Sequence, residues 1–297
     1  MRVATYRFNG RRGVGRLTAD GTAIKPFDLG AEAERRGALA LVEAMAAGLP
    51  PEPKGPALPL SRVLLEAPIP QPRRNIFCVG KNYFEHAHEF AKSGFDSSAA
   101  SGAVPEAPIV FSKVPESVTG PGTPILIDPG VSEAIDYEAE LAVVIGRGGR
   151  GIARDNALAH VWGYTIVNDV TARDLQGRYK QWLIGKSQDS FCPMGPWLVS
   201  ADEIDLADTA VRCWVNGELR QDANTRSLIF DVPTLIETIS RGLTLAPGDI
   251  IATGTPAGVG IGFNPPRYLK PGDVVRIEIA GIGVLENPVA RLVEAAA

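Results

Sequence analysis

Apolar and polar positions change rhythm along the chain. Near the N-terminus, Arg2 to Phe8 and Gly13 to Leu17 read as short strands, and Ala31 to Ala47, rich in Ala, Leu and Glu, reads as a helix. Pro50-Pro51-Glu52-Pro53-Lys54-Gly55-Pro56 then has the composition of a loop or linker. Leu64 to Pro70 leads into a second region, with the boundary near residue 72. The expected division is a small N-terminal α/β domain over 1–72 and a main domain over 73–297.

Strand and turn signals dominate the main domain. Asn75 to Val79 and Ile109 to Lys113 are short apolar strands, and Tyr137 to Ile145 and Val161 to Asn168 are longer ones. Asn82 to Ser93 is a candidate helix, followed by Asp96 to Ala103, a polar, small-residue stretch expected to be mobile. Asn216-Gly217 between apolar residues signals a hairpin. Pro247-Gly248-Asp249 and Pro271-Gly272-Asp273 are turns, each followed by an apolar strand, and Pro233 to Arg241 reads as a helix with Pro in its first turn. Helices that are few and scattered among strands predict a β-rich α+β domain built around a mixed, folded or rolled β-sheet.

Composition narrows the function classes. With 45% hydrophobic and 22% charged residues over 297 positions, the chain can bury a sizeable core. The formal net charge of −4 and the lack of a long basic run exclude a nucleic-acid footprint. No apolar run is long enough to span a bilayer, so no membrane partner is expected. The N-terminus has no apolar core of a signal peptide, and three cysteines without a CxxC pair suit a reducing cytoplasm. The GRGGRG run at 146–151 lacks the strand–turn–helix context of a nucleotide site and reads as a turn.

The candidate chemistry starts at Asp136-Tyr137-Glu138-Ala139-Glu140. In a strand, residues two apart share a face, so Glu138 and Glu140 point the same way and Asp136 can join them. Adjacent carboxylates repel unless a cation or proton lies between them. The apolar continuation of the strand argues for burial, where a hard divalent cation such as Mg²⁺ or Mn²⁺ is the natural partner; the alternative is a surface strand with alternating acids. Asp169, ending the strand Gly163 to Asp169, is placed to supply a third oxygen. The segment Val170 to Gln176 reads as a short helix with Arg173 and Gln176 on one face, either a substrate contact or a solvated, salt-bridged surface. His86 and Glu89 stand three apart on a helix, a spacing that lets the acid orient the imidazole as a general base or simply decorates a helix surface. Lys186, in an otherwise apolar stretch, either pairs with an acid or meets substrate charge. The glycines around Thr255, from Gly254 to Gly260, let backbone approach a ligand closely.

In this order the pieces resemble the fumarylacetoacetate hydrolase family. The resemblance runs from about Asn75 to Val293 and rests on VGKNYFEHAHE, FSKVPESVTGPG, DYEAELAVVIG, NDVTARDLQ with LIGKS, and GDIIATGTPAGVG. It implies a β-rich roll, a homodimer, and Mg²⁺ or Mn²⁺ held by Glu138, Glu140 and Asp169. It also implies His86 and Glu89 as a water-activating pair on a lid helix, Lys186 as a catalytic cation, and Gln176 and Thr255 as substrate contacts, to which Arg173 is added because it shares the helix face of Gln176. The function it implies is hydrolysis of a C–C bond in an acylpyruvate-like 2,4-dioxo acid. The same metal–enolate chemistry also serves 2-oxo-diacid decarboxylation, keto–enol tautomerisation and hydroxy-dienedioate isomerisation. Residues 1–70 look like the small N-terminal domain of longer bacterial members.

Overall fold

The computed structural model describes residues 1–92 and 104–292, so the Asp96–Ala103 stretch lies outside the described residues. The fold is a strand-rich, mixed α+β architecture. Its helices are α1 (Gly30–Arg36), α2 (Ala38–Ala46), α3 (Phe84–Lys92), α4 (Arg173–Tyr179), α5 (Leu183–Lys186) and α6 (Val232–Gly242). A twelve-stranded sheet and a five-stranded sheet carry most of the strands, beside a separate two-stranded ladder.

The strand Ala139–Ile145 lies inside the large sheet. It pairs antiparallel with Val161–Asn168 on one side and with Ile250–Ala252 on the other. Every residue of it is buried, which is why its sequence is almost continuously apolar rather than alternating. Alternation survives in where the side chains go. Leu141, Val143 and Ile145 enter a core shared with Val211, Ile277 and Leu285 of the five-stranded sheet and Ile239 of α6. Ala142 and Val144 face the opposite way, into a core with Val3, Leu39, Leu41 and Ile250. Glu138 and Glu140 share the parity of this second set.

The first strand, Arg2–Phe8, pairs antiparallel with Cys192–Ser200 of the large sheet, so the N-terminal strands extend that sheet instead of forming one of their own. Leu39, Leu41 and Val42 of α2 then cover the sheet face beside Ala142 and Val144. The single helix expected over Ala31 to Ala47 is broken into α1 and α2 at Gly37. Gly37 has φ +61°, and a Cβ there would lie 2.6 Å from Pro70 and 2.7 Å from the Thr5 hydroxyl. The short helix expected from Val170 begins instead at Arg173, because Thr171–Ala172 is drawn into a ladder with Ile135–Asp136. The Asn216-Gly217 turn closes the hairpin between Ala210–Val215 and Glu218–Asn224 as its sequence predicts.

Thr5 shows how the break at Gly37 is held. Its buried hydroxyl donates to the Pro68 carbonyl at 2.7 Å and accepts from the Ala38 amide at 2.9 Å, at the start of α2. Thr5→Val keeps the shape and removes both hydroxyl bonds, leaving the direct 2.9 Å bond from the Ala38 amide to the Pro68 carbonyl to hold the break alone. Urea unfolding is expected to show a loss of about 0.5–1.5 kcal/mol, with Mn²⁺ affinity in calorimetry unchanged.

Candidate metal centre and active site

The carboxylate cluster is a product of strand register. Ala139 pairs with Asn168, and continuing that ladder by one residue sets Glu138 opposite Asp169. The Asp169 amide donates to the Glu138 carbonyl at 2.9 Å, and the Glu138 amide donates to the Asn168 side chain at 3.0 Å. Opposed residues in an antiparallel pair project to one side, and Glu140, two residues on, projects there too. One carboxylate oxygen from each of Glu138, Glu140 and Asp169 lies within 4.8 Å of the others, and all three residues are buried.

Three buried carboxylates this close need positive charge. Lys186 Nζ donates to Glu138 Oε2 at 2.7 Å and to Asp169 Oδ2 at 2.8 Å. Arg173 reaches Glu138 Oε1 at 2.7 Å, and Lys113 holds Asp169 Oδ1 at 2.6 Å. Burial opposes the ionisation of Glu138, yet Lys186 and Arg173 prevail and pull its carboxyl down to about 2. Burial likewise opposes the charge on Lys186, but Asp169 and Glu138 outweigh it and raise its pKa. Glu140 is bonded by no cation among the described residues, and the pull of Lys186 on it is outweighed. It accepts the Gly254 amide at 2.9 Å, while burial and the charges of Asp169 and Glu138 push its carboxyl well above the usual range. This set fits a hard divalent cation: oxygen donors only, converging from one side, with charge left unbalanced at Glu140.

Glu138 and Glu140 of the cluster line a cavity with an empty volume of about 290 Å³. His86, Arg173, Gln176, Lys186 and Thr255 also line it, while Glu89 and Asp169 stand behind it, in contact with His86 and Lys186. Arg173 is buried, which removes the solvated-helix alternative; it donates from Nε to Asp136 at 2.8 Å and from Nη1 to Gln176 at 3.1 Å. Asp136 does not join the carboxylate cluster. Beyond the break between the two ladders it accepts from Arg173 and from the Gly260 and Ile261 amides, at 2.6 and 3.0 Å. Thr255 is oriented by Gln221 Nε2 at 2.8 Å.

His86 and Glu89 lie on α3, the imidazole Nδ1 3.3 Å from a Glu89 oxygen. The helix starts from a fixed point. Asn82 donates to the Thr253 and Phe230 carbonyls at 2.8 and 2.9 Å and accepts from the Phe230 amide at 2.8 Å. Glu89 accepts the Gly258 amide at 3.0 Å, and a Cβ on Gly262 would overlap its carboxylate. The remaining walls are supplied by Val79, Lys81, Phe111 and Trp182, with the Trp182 ring set edge-on to Phe111 at 5.1 Å.

Several of these groups escape a reading of the sequence. Lys113 is a polar end to an apolar strand, a signal present in FSKVPESVTGPG but not tied to a role. Asn82, two residues before the helix carrying His86, has the look of an ordinary helix start. Gln221 gives no signal at all, since its partner Thr255 is distant in sequence.

Residues 75–290 match the family described as fumarylacetoacetate (FAA) hydrolase C-terminal. The chain is 52% identical over 231 residues to oxaloacetate tautomerase YisK of Bacillus subtilis, covering 77% of this chain and 74% of that protein. It is 44% identical over 237 residues to the human mitochondrial oxaloacetate tautomerase FAHD2A, covering 79% and 72%. Among solved structures, a fumarylacetoacetate hydrolase from Exiguobacterium antarcticum superposes with a TM-score of 0.83 at 40% identity, over 98% of this chain and all (100%) of that one. A 5-carboxymethyl-2-hydroxymuconate delta-isomerase from Mycobacterium smegmatis gives 0.77 at 34%, over 98% and 100%. With the family match spanning most of its length and the same fold throughout, this chain belongs to the fumarylacetoacetate hydrolase family of enzymes.

Proposed function

We propose that this protein is a divalent-metal-dependent enzyme that interconverts the keto and enol forms of a small 2-oxo diacid of the oxaloacetate type. The observation that carries this reading is the carboxylate cluster facing His86, with Glu138, Glu140 and His86 lining one cavity and Glu89 behind the imidazole. The tautomerase names of relatives at 44–52% identity supply the reaction class. The resemblance further supports a cytoplasmic homodimer, with residues 1–72 as an accessory unit on a catalytic domain of 73–297. Among the described residues no helix is long and apolar enough to cross a membrane.

A Mg²⁺ or Mn²⁺ ion held by Glu138, Glu140 and Asp169 would draw electron density from the 2-oxo group and acidify the adjacent carbon. His86 takes the proton from that carbon and returns it to oxygen. Glu89 keeps the imidazole oriented and compensates its transient positive charge. Lys186, already shared between Glu138 and Asp169, sets a cation beside the negative charge that develops on the substrate. Arg173, Gln176 and the Thr255 hydroxyl offer donors to substrate carboxylates. Phe111 and Trp182 limit water in the cavity.

C–C bond hydrolysis, placed first from the sequence, is the second reading. The His86–Glu89 pair favours it, since the same geometry can deprotonate a water. The two readings separate in a direct assay. Oxaloacetate enol, acetylpyruvate and a hydroxy-dienedioate would each be followed with Mn²⁺ and with chelator. Rapid, chelator-sensitive loss of the enol absorbance, with acetylpyruvate left intact, is expected. Turnover of acetylpyruvate with no effect on the enol would replace tautomerisation by hydrolysis.

His86→Ala is expected to lower kcat by about 100- to 10,000-fold while calorimetric Mn²⁺ affinity stays at the wild-type value; near-normal turnover would remove His86 from proton transfer. Gly262→Ala tests the support behind it. The added methyl must displace Glu89, so kcat is expected to fall by about 10-fold or more with little change in melting temperature. An unchanged rate would mean that Glu89 does not orient the imidazole.

A further inference from the structure

Lys113 ends the strand Ile109–Lys113 and is fully buried, in register with Ile76 of the neighbouring strand. It is not among the residues lining the cavity. Its Nζ donates to Asp169 Oδ1 at 2.6 Å, to the Val170 carbonyl at 3.0 Å and to the Lys186 carbonyl. An ammonium has three protons, so this set is complete. The acceptors belong to two separate pieces of chain, the turn after Val161–Asn168 and the C-terminal end of α5. One buried group therefore fixes the distance between them. The same strand also meets the far end of Lys186, whose Nζ lies 4.9 Å from the centre of the Phe111 ring.

This geometry bears on the metal ligand. Asp169 has two oxygens, and Lys113 claims Oδ1. Oδ2 is then the oxygen turned to Lys186 at 2.8 Å, on the side of Glu138.

We propose that Lys113 is a positioning residue that presents Asp169 Oδ2 to the carboxylate cluster and holds Lys186 in register with it. The inference rests on the metal centre proposed above and adds a residue that acts from behind it. Two explanations for a lysine here predict opposite signs. If it served only as a counter-charge, its loss would remove a repulsion and tighten binding of a divalent ion. If it positions Asp169, its loss weakens binding, because the freed carboxylate can rotate and α5 can shift.

The test is calorimetric titration of Mn²⁺ into the wild-type protein and Lys113→Met, with Mn²⁺ electron paramagnetic resonance and steady-state kinetics on the oxo acid. Lys113→Met is expected to weaken Mn²⁺ binding by about 10–100-fold, the usual effect of losing a group that orients a metal ligand. Its resonance lines should broaden as the site loses a single geometry. At saturating Mn²⁺, kcat should fall while KM stays within about threefold, since Lys186 is displaced but the substrate's other contacts remain. Unchanged or tighter Mn²⁺ binding by folded Lys113→Met would overturn the inference and leave the metal centre standing. A wild-type protein that binds no Mn²⁺ would overturn the metal centre and the inference together. Should Lys113→Met not fold, a crystal structure of the wild-type protein with Mn²⁺ and oxalate decides. Lys113 bonded to Asp169 Oδ1 and the Lys186 carbonyl is expected, and Lys113 turned away from either would overturn the proposal.

Discussion

Glu138 and Asp169 meet because the ladder between Ala139–Ile145 and Val161–Asn168 continues one residue past the pair of Ala139 and Asn168. A slip of that register by one residue would send the acids to opposite faces of the sheet. The register is secured by what lies behind it. Leu141, Val143 and Ile145 fill one core while Ala142 and Val144 fill another, so the strand cannot slide without exchanging large residues for small ones in both. The hydrophobic packing of the sheet thus fixes where three carboxylates converge.

Convergence carries an electrostatic cost, and the neighbouring elements are arranged around it. Several kcal/mol are lost for each ion taken from water unless a partner is close. Lys186 comes from α5, Arg173 from the first turn of α4 and Lys113 from the strand Ile109–Lys113, so three separate elements each deliver one cation. Glu140, whose carboxyl is raised by burial and by Asp169 and Glu138, is where the compensation stops. That imbalance gives the centre its affinity for a further cation in the proposed reading, and Lys186 becomes the charge shared between protein and substrate.

The opposite wall is built by backbone more than by charge. Asn82 fixes the approach to α3, the Gly258 amide holds Glu89, and the missing side chain at Gly262 makes room for its carboxylate. His86 is therefore located through a loop some 170 residues away in the chain, by the same Gly-rich segment that presents Thr255 to the cavity.

The sequence by itself determined the strand-rich class, most strand positions, and the residue types of the site. Glu138 and Glu140 follow from the two-residue repeat of a strand, and His86 with Glu89 from the three-residue spacing of a helix, because both are local periodicities. Where local rules compete with tertiary contacts they fail. Gly37 breaks the Ala31 to Ala47 helix because Thr5 and Pro70 crowd it, and Thr171–Ala172 is a strand because Ile135–Asp136 lies beside it. The roles of Lys113, Asn82 and Gln221, and the departure of Asp136 from the acidic cluster to Arg173, were decided only in three dimensions. Each depends on a partner far along the chain, and only the packing of the sheets sets which distant residues come within hydrogen-bonding reach.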